Sequence, residues 1–269
     1  MTHQQDHDFV LYEMRENVAI VTLNRAPQNR LTRPLFTMLD QAVRRGVADG
    51  ARCVLFRGNG DDFCQGGDFR EWPHLKNHAQ RRERFGFSNG VLNAIESLSI
   101  PTVTEVHGRA FGGGFELALH TDFIIASESA TFRFSEATLG VAPLAGGVQR
   151  VAERAGRSAA ARLVMLSEEI SAAEAAAMNI VTRVVPDDQL GNAAFECAAR
   201  LAAGPTRAHA VTKSILAAWS AGGVRCADEM MIEHVSVLLG TDDVQRGVNS
   251  AIAAIEAGKE RPAITFNGQ

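Results

Sequence analysis

Three stretches of the chain combine glycine, acid and apolar residues in a way that suits acid–base chemistry: DFCQGGDF at 62–69, HGRAFGGGFELALHTD at 107–122 and FSEATLGVAPLAGGVQR at 134–150. In the second, Gly112, Gly113 and Gly114 run directly into Phe115, Glu116, Leu117 and Ala118. Bare backbone amides at the start of a helix present positive dipole to an anion, which is an oxyanion hole in outline. Glu116 lies one helical turn past Gly113, and Glu136 follows an expected strand and opens another glycine-rich segment. The two acids are therefore expected to face one pocket from different elements. An average glutamate is a solvated or capping carboxylate, but both of these are set among apolar residues and glycines. Desolvation and mutual repulsion raise the pKa of at least one member of such a pair. One acid can then be protonated while the other is ionised, so that a general acid and a general base coexist at one centre.

Other chemistries lack their signatures. No Gly-x-Gly-x-x-Gly follows a strand, and no Walker loop, Gly-x-Ser-x-Gly or His-Glu-x-x-His is present. His74 and His78 stand four apart without a third ligand at matching spacing, so they are expected to be exposed and no metal site is expected. Cys53, Cys64, Cys197 and Cys226 have no paired spacing, which argues against disulfides and for a reducing, cytoplasmic setting. Cys64 reads as packing rather than as a nucleophile. The 27 Lys and Arg against 31 Asp and Glu leave a net charge of −4, without the basic excess that general nucleic-acid binding needs. The start, MTHQQDHDFV, has neither the basic opening nor the apolar stretch of a signal peptide. No apolar run of about 18 residues predicts a membrane span.

The elements that must position the acids read as α/β alternation. Apolar, β-branched runs at 9–14 and 18–23 predict a hairpin, and a polar loop follows at 24–31. Leu35, Phe36, Leu39, Val43 and Val47 recur at helical spacing after Thr32 as cap and Pro34 in the first turn, with Gly50 ending the helix. Strands are expected at 52–57, 102–106 and 123–126, each leading into a Gly-rich loop and a helix. Ser171 and Glu174 have capping-box spacing ahead of an alanine-rich helix, and 181–185 predicts a last strand closed by Pro186. From 187 to 257 only helical periodicity remains, punctuated by Gly204-Pro205, Gly222-Gly223 and Gly240. The fold class is thus α/β with a helical final third, and the boundary is expected near Gly204. Ala198, Ala199, Ala202 and Ala203 fit either intramolecular core or an oligomer surface.

In their order and spacing the three glycine-rich segments resemble the enoyl-CoA hydratase/isomerase (crotonase) superfamily, and ISAAEAAAMNIVTRVVPDDQL at 170–190 is similar to its later region. The resemblance implies a spiral of strand-strand-helix units over 1–203 that binds acyl-CoA, followed by a helical trimerisation region over 204–269. It implies a homotrimer or a dimer of trimers, an acyl-CoA substrate, no nucleic-acid or membrane partner, and no cofactor beyond the coenzyme A carried by the substrate. Carried over by motif position, Gly67 and Gly113 supply the two amides that hold the thioester oxygen. Gln65, Asp68, Phe69, Arg70 and Leu144 fall at substrate-binding positions, with Asp68 ordering its loop. Having both Glu116 and Glu136 resembles members that hydrate the double bond of a 2-enoyl-CoA to give a 3-hydroxyacyl-CoA.

Several positions depart from the pattern. Ser135 stands where relatives commonly carry proline, and Leu144 where hydratases commonly have glycine beside the water. Leu144 keeps Δ3,Δ2-enoyl-CoA isomerisation or other acyl-CoA enolate chemistry open as an alternative, and a non-catalytic CoA- or RNA-binding protein is the alternative of another class. Glu105 and His107 replace the more usual Ala and Asn and are expected to pair with each other or with Arg109. Of the basic residues Arg70, Lys76, Arg81, Arg82 and Arg84, only Arg70 is expected to touch CoA, the others forming a solvated helix face. Trp72, Phe85 and Phe87 fit either core or acyl pocket.

Overall fold

The computed structural model describes residues 8–269. The polar start at 1–7, read as lacking a signal sequence, lies outside the described residues. In chain order the strands are β1 (Val10–Arg15), β2 (Val18–Leu23), β3 (Cys53–Gly58), β4 (Thr102–Val106), β5 (Arg109–Phe111), β6 (Phe123–Ser127), β7 (Thr131–Arg133), β8 (Glu169–Ser171) and β9 (Arg183–Val185). The helices are α1 (Arg33–Ala48), α2 (His78–Glu96), α3 (Gly113–Leu119), α4 (Gly147–Met165), α5 (Ala172–Ala177), α6 (Leu190–Ala203), α7 (Thr206–Leu238) and α8 (Asp242–Ala257).

A six-stranded sheet runs in the order β1-β2-β3-β4-β6-β9, with only the β1–β2 hairpin antiparallel. Glu16 and Asn17 turn that hairpin at positive φ, the backbone that a two-residue loop between twisted strands needs. All of β2, VAIVTL, is buried, because both faces of the sheet are covered. Ala19, Val21 and Leu23 face the main core, whereas Val18 and Ile20 face α6. The alanines Ala194, Ala198 and Ala202 of α6 are fully buried against β3, β4 and β6, and their small side chains let the helix lie close to the sheet. Ala198 and Ala202 are therefore intramolecular core, and Ala203 points outward.

A second sheet, β5-β7-β8, is made of three-residue strands that periodicity does not reveal. The final strand is also shorter than expected, starting at Arg183 rather than at 181. Isolated pairings of Leu31 with Gly67 and of Cys64 with Ala110 extend this second layer into the first Gly-rich loop. Asn29, fully buried, ties the 24–31 loop to the same region by donating to the carbonyls of Asn59, Asp62 and Phe63 at 2.8–3.0 Å.

The capping box at Ser171 and Glu174 forms as its spacing implies. At Gly204 the chain leaves α6 and turns into α7, and Arg52 fastens that turn through Thr206 and the carbonyls of Gly204 and Phe266. Helix α7 breaks at Gly223, whose φ of +73° is left-handed, and Gly240 separates α7 from α8. Among the described residues no helix is long and apolar enough to cross a membrane.

Candidate active site

A cavity collects the chemistry-bearing segments. Its lining includes Glu116, Glu136, Gly67, Gly113, Gln65, Phe69 and Leu144. Asp68 and Arg70 are not among its wall residues. Asp68 is buried, caps the short 3-10 turn at Phe69–His74, and accepts from Arg25 at 3.0 Å and from Arg70 at 2.6 and 2.7 Å. These cations and hydrogen bonds hold its carboxyl well below the usual range. Asp68 therefore fastens the loop that carries Gly67, and the largely exposed Arg70 is occupied with Asp68.

Strand β5 sets the two glycine loops against each other. Cys64 exchanges backbone hydrogen bonds with Arg109 and Phe111, at 3.1 and 2.9 Å, which lays the FCQGGD loop along β5 just before Gly112. A Cβ on Gly114 would sit 2.1 Å from the Cys64 carbonyl oxygen, so this close approach requires glycine. A Cβ on Gly113 would come 3.6 Å from the Gly67 nitrogen, so the two amides are neighbours. Neither donates to a backbone carbonyl among the described residues, Gly113 because it is the first residue of α3. At Gly67 itself a Cβ would meet nothing, and the steric demand falls on Gly66, with φ +86° and the Phe111 oxygen 2.8 Å from its would-be Cβ.

The two acids have unlike surroundings. Glu116 is 2% exposed, and its Oε1 accepts from the amides of Ala145 and Gly147 at 2.8 and 2.9 Å. Burial raises its pKa, and these amides counter the rise by favouring the carboxylate. Glu136 opens a 3-10 turn, is 7% exposed, and has an Oε2 that is buried without a hydrogen-bond partner. Burial first, and the nearby Glu116 charge second, push its pKa up to about 7. Buried His120 donates from Nδ1 to the Glu116 carbonyl at 2.7 Å, and burial holds its pKa down to about 4. His120 is thus neutral and adds no charge to the pair.

Several other expectations meet the structure here. Trp72 and Phe85 line the cavity, whereas Phe87 packs against the main core. Arg84 is not on a solvated face. It is 8% exposed, lines the cavity, pairs with Glu71 at 2.7 Å and bonds Ser88. Glu71 lies thirteen residues away across a turn, so helical spacing alone did not reveal the pair. Glu105 and His107 do not pair with each other or with Arg109. His107 Nε2 meets the Gly60 carbonyl at 3.0 Å, Arg109 meets Asp62 at 3.7 Å, and Glu105 Oε2 is buried without a partner. His74 closes the 3-10 turn and His78 opens α2, both exposed. Burial pushes the Cys64 thiol up to about 12, which leaves it un-ionised and unsuited to nucleophilic attack.

Known proteins share the sequence pattern and the fold of this chain. The family model described as enoyl-CoA hydratase/isomerase matches residues 13–252. The chain belongs to the enoyl-CoA hydratase/isomerase family. The mitochondrial enoyl-CoA hydratase of Pongo abelii is 30% identical over 86% of the chain and 78% of that protein. The 2,3-dehydroadipyl-CoA hydratase of Escherichia coli is 27% identical over 90% of the chain and 94% of its own length. Among solved structures, an enoyl-CoA hydratase subunit from Geobacillus kaustophilus superposes with a TM-score of 0.87 at 28% identity, covering 97% of this chain and 98% of that one. The α/β architecture with a helical C-terminal region is thus the fold of this family, the crotonase fold.

The unlike charge states have a consequence for stability that is independent of any reaction. An unfolded Glu136 ionises near 4.5, and the folded one keeps its proton up to about 7. Folding therefore loses stability as pH rises between these values, by on the order of 3 kcal/mol once pH exceeds the folded pKa. Glu136→Gln should unfold at higher urea than the parent at pH 8.5, and the gain should shrink strongly by pH 5. An equal gain at both pH values, or a loss at pH 8.5, would contradict this picture of Glu136.

Proposed function

We propose that the protein catalyses the reversible hydration of a 2-enoyl-CoA to a 3-hydroxyacyl-CoA. The observation that carries this reading is that Glu116 and Glu136 line the same cavity as the unengaged amides of Gly67 and Gly113. In the proposed mechanism those two amides hold the thioester carbonyl. As the double bond is attacked, charge moves onto that oxygen, and donors already in place favour the enolate-like transition state, each by about 3 to 4 kcal/mol. A Cβ at Gly67 would point into open space, which is consistent with room for a bound thioester there.

The acids divide the proton transfers according to their surroundings. Glu116, steadied as a carboxylate by the Ala145 and Gly147 amides, takes a proton from a water whose hydroxide adds at Cβ. Glu136, protonated below about pH 7, gives a proton to Cα. One proton is taken and one is given, so the net charge of the site is unchanged by the addition.

A second reading has one observation in its favour. Leu144 lines the cavity together with Leu139 and Glu136, and an apolar side chain beside the acid suits proton shuttling without water, as in Δ3,Δ2-enoyl-CoA isomerisation. The exposed apolar residues of α7, including Leu216, Trp219, Met231, Ile232 and Val237, further support assembly into a homotrimer or a dimer of trimers. Sedimentation equilibrium should give a trimer or hexamer, and a monomer at micromolar concentration would rule out that assembly.

Purified protein is expected to consume crotonyl-CoA, seen as loss of the conjugated thioester absorbance, with 18O from labelled water entering the product. Glu116→Gln and Glu136→Gln should each lower kcat by at least about 100-fold, with KM much less affected. Rearrangement of a 3-enoyl-CoA without 18O uptake would favour the isomerase reading. Unchanged turnover in Glu136→Gln would remove that residue from the mechanism.

A further inference from the structure

The cavity wall built from α1, α2 and the 3-10 turn between Phe69 and His74 is aromatic, through Phe36, Trp72 and Phe85. Within it stands one guanidinium. Arg84 is 8% exposed and lines the cavity, its carbon 5.7 Å above the Phe36 ring. A permanently charged group is seldom placed so deeply unless it is paired. Its partners use only part of it. Nε and Nη2 donate to the same Glu71 oxygen at 3.3 and 2.7 Å, and Nη1 donates to Ser88 Oγ. Arginine has five N–H donors, so two stay unengaged among the described residues. Glu71 is itself shared, since it also accepts from the Arg33 amide at 3.2 Å. Ser88 in turn donates to the Arg84 carbonyl at 3.2 Å, so that Ser88 and Glu71 fix the guanidinium plane.

We propose that Arg84 is a specificity-determining contact for an acyl group ending in a carboxylate, so that ω-carboxyacyl-CoA thioesters are preferred over methyl-terminated ones of equal length. The inference rests on the acyl-CoA reading of the cavity. An acyl chain filling this wall displaces water from the two free N–H donors. A methyl end leaves them unsatisfied, whereas a carboxylate accepts from them in the fork geometry that suits guanidinium. A site built to hydrogen-bond its ligand discriminates strongly against an analogue lacking the polar group, because its own buried donors are then left unpaired. Ser88 and Glu71 are positioning residues in this scheme. Glu71 also competes with the ligand for the guanidinium and so limits its affinity.

Saturated thioesters test the idea by calorimetric binding without turnover: glutaryl-CoA against valeryl-CoA, and adipyl-CoA against hexanoyl-CoA. In at least one pair the carboxylate ligand should bind tenfold or more tightly. Arg84→Met should bring that ratio to within threefold of one, and Glu71→Gln should tighten the carboxylate ligand several-fold by freeing the guanidinium. Equal or tighter binding of the methyl-terminated partner in both pairs, or a ratio that survives Arg84→Met, overturns the proposal. Should Arg84→Met fail to fold by circular dichroism, Glu71→Gln decides, and unchanged or weaker carboxylate binding in it overturns the proposal. Discrimination without hydration of either crotonyl-CoA or its ω-carboxylated counterpart glutaconyl-CoA would sink the hydratase reading alone. Hydration without discrimination would sink only the role of Arg84.

Discussion

Two buried carboxyl groups share one cavity, and much of the structure follows from how unequally the chain compensates them. Glu116 receives two backbone amides, from Ala145 and Gly147. Glu136 receives none at its buried Oε2 and lies within reach of the Glu116 charge. A buried carboxyl whose burial outweighs its donors holds its proton, and one better supplied with donors releases it more readily. The difference between the two carboxyls is therefore built from burial and backbone, through the turn at 144–147, and not from side-chain chemistry, since both residues are glutamate.

That arrangement demands close backbone approaches, which is where the glycines enter. A Cβ on Gly147 would lie 2.5 Å from the Phe134 ring and 3.0 Å from Glu116 Cγ, and one on Gly112 would lie 2.8 Å from Glu136 Oε1. Gly114 pressed on Cys64 brings α3 and the FCQGGD loop together so that the Gly113 and Gly67 amides become neighbours. Buried Asn29 and Asp68 then lock that loop to the strands behind it, through carbonyls in one case and arginines in the other. The geometry of the candidate site is thus held in part by polar groups that do not line the cavity.

Much of this was legible from residue types alone. The long β-branched runs of β2, β3 and β4 and the capped helix α1 are strong local signals, and each lies within a residue or two of its expected place. The pairing of Glu116 with Glu136 in one pocket was legible because each follows a strand and sits among glycines. The second sheet was not, since three residues cannot display a period. Arg84 was misplaced for a related reason. Its setting is decided by Glu71 and by the Phe36 ring on α1, and such cross-element partners leave no trace in local spacing. Likewise the close backbone approach of the FCQGGD loop falls on Gly66 rather than on Gly67, which only the packing against Phe111 discloses.

The unequal charge of the two acids is the centre of this account, and it can be observed directly in the resting protein. Side-chain carboxyl 13C chemical shifts would be followed against pH, with the two resonances assigned by Glu116→Gln and Glu136→Gln. The account predicts a Glu136 resonance that titrates with its midpoint near 7, in a protein whose Glu116 has already ionised at lower pH. A Glu136 midpoint near 4.5, with both groups charged at pH 6, would contradict it.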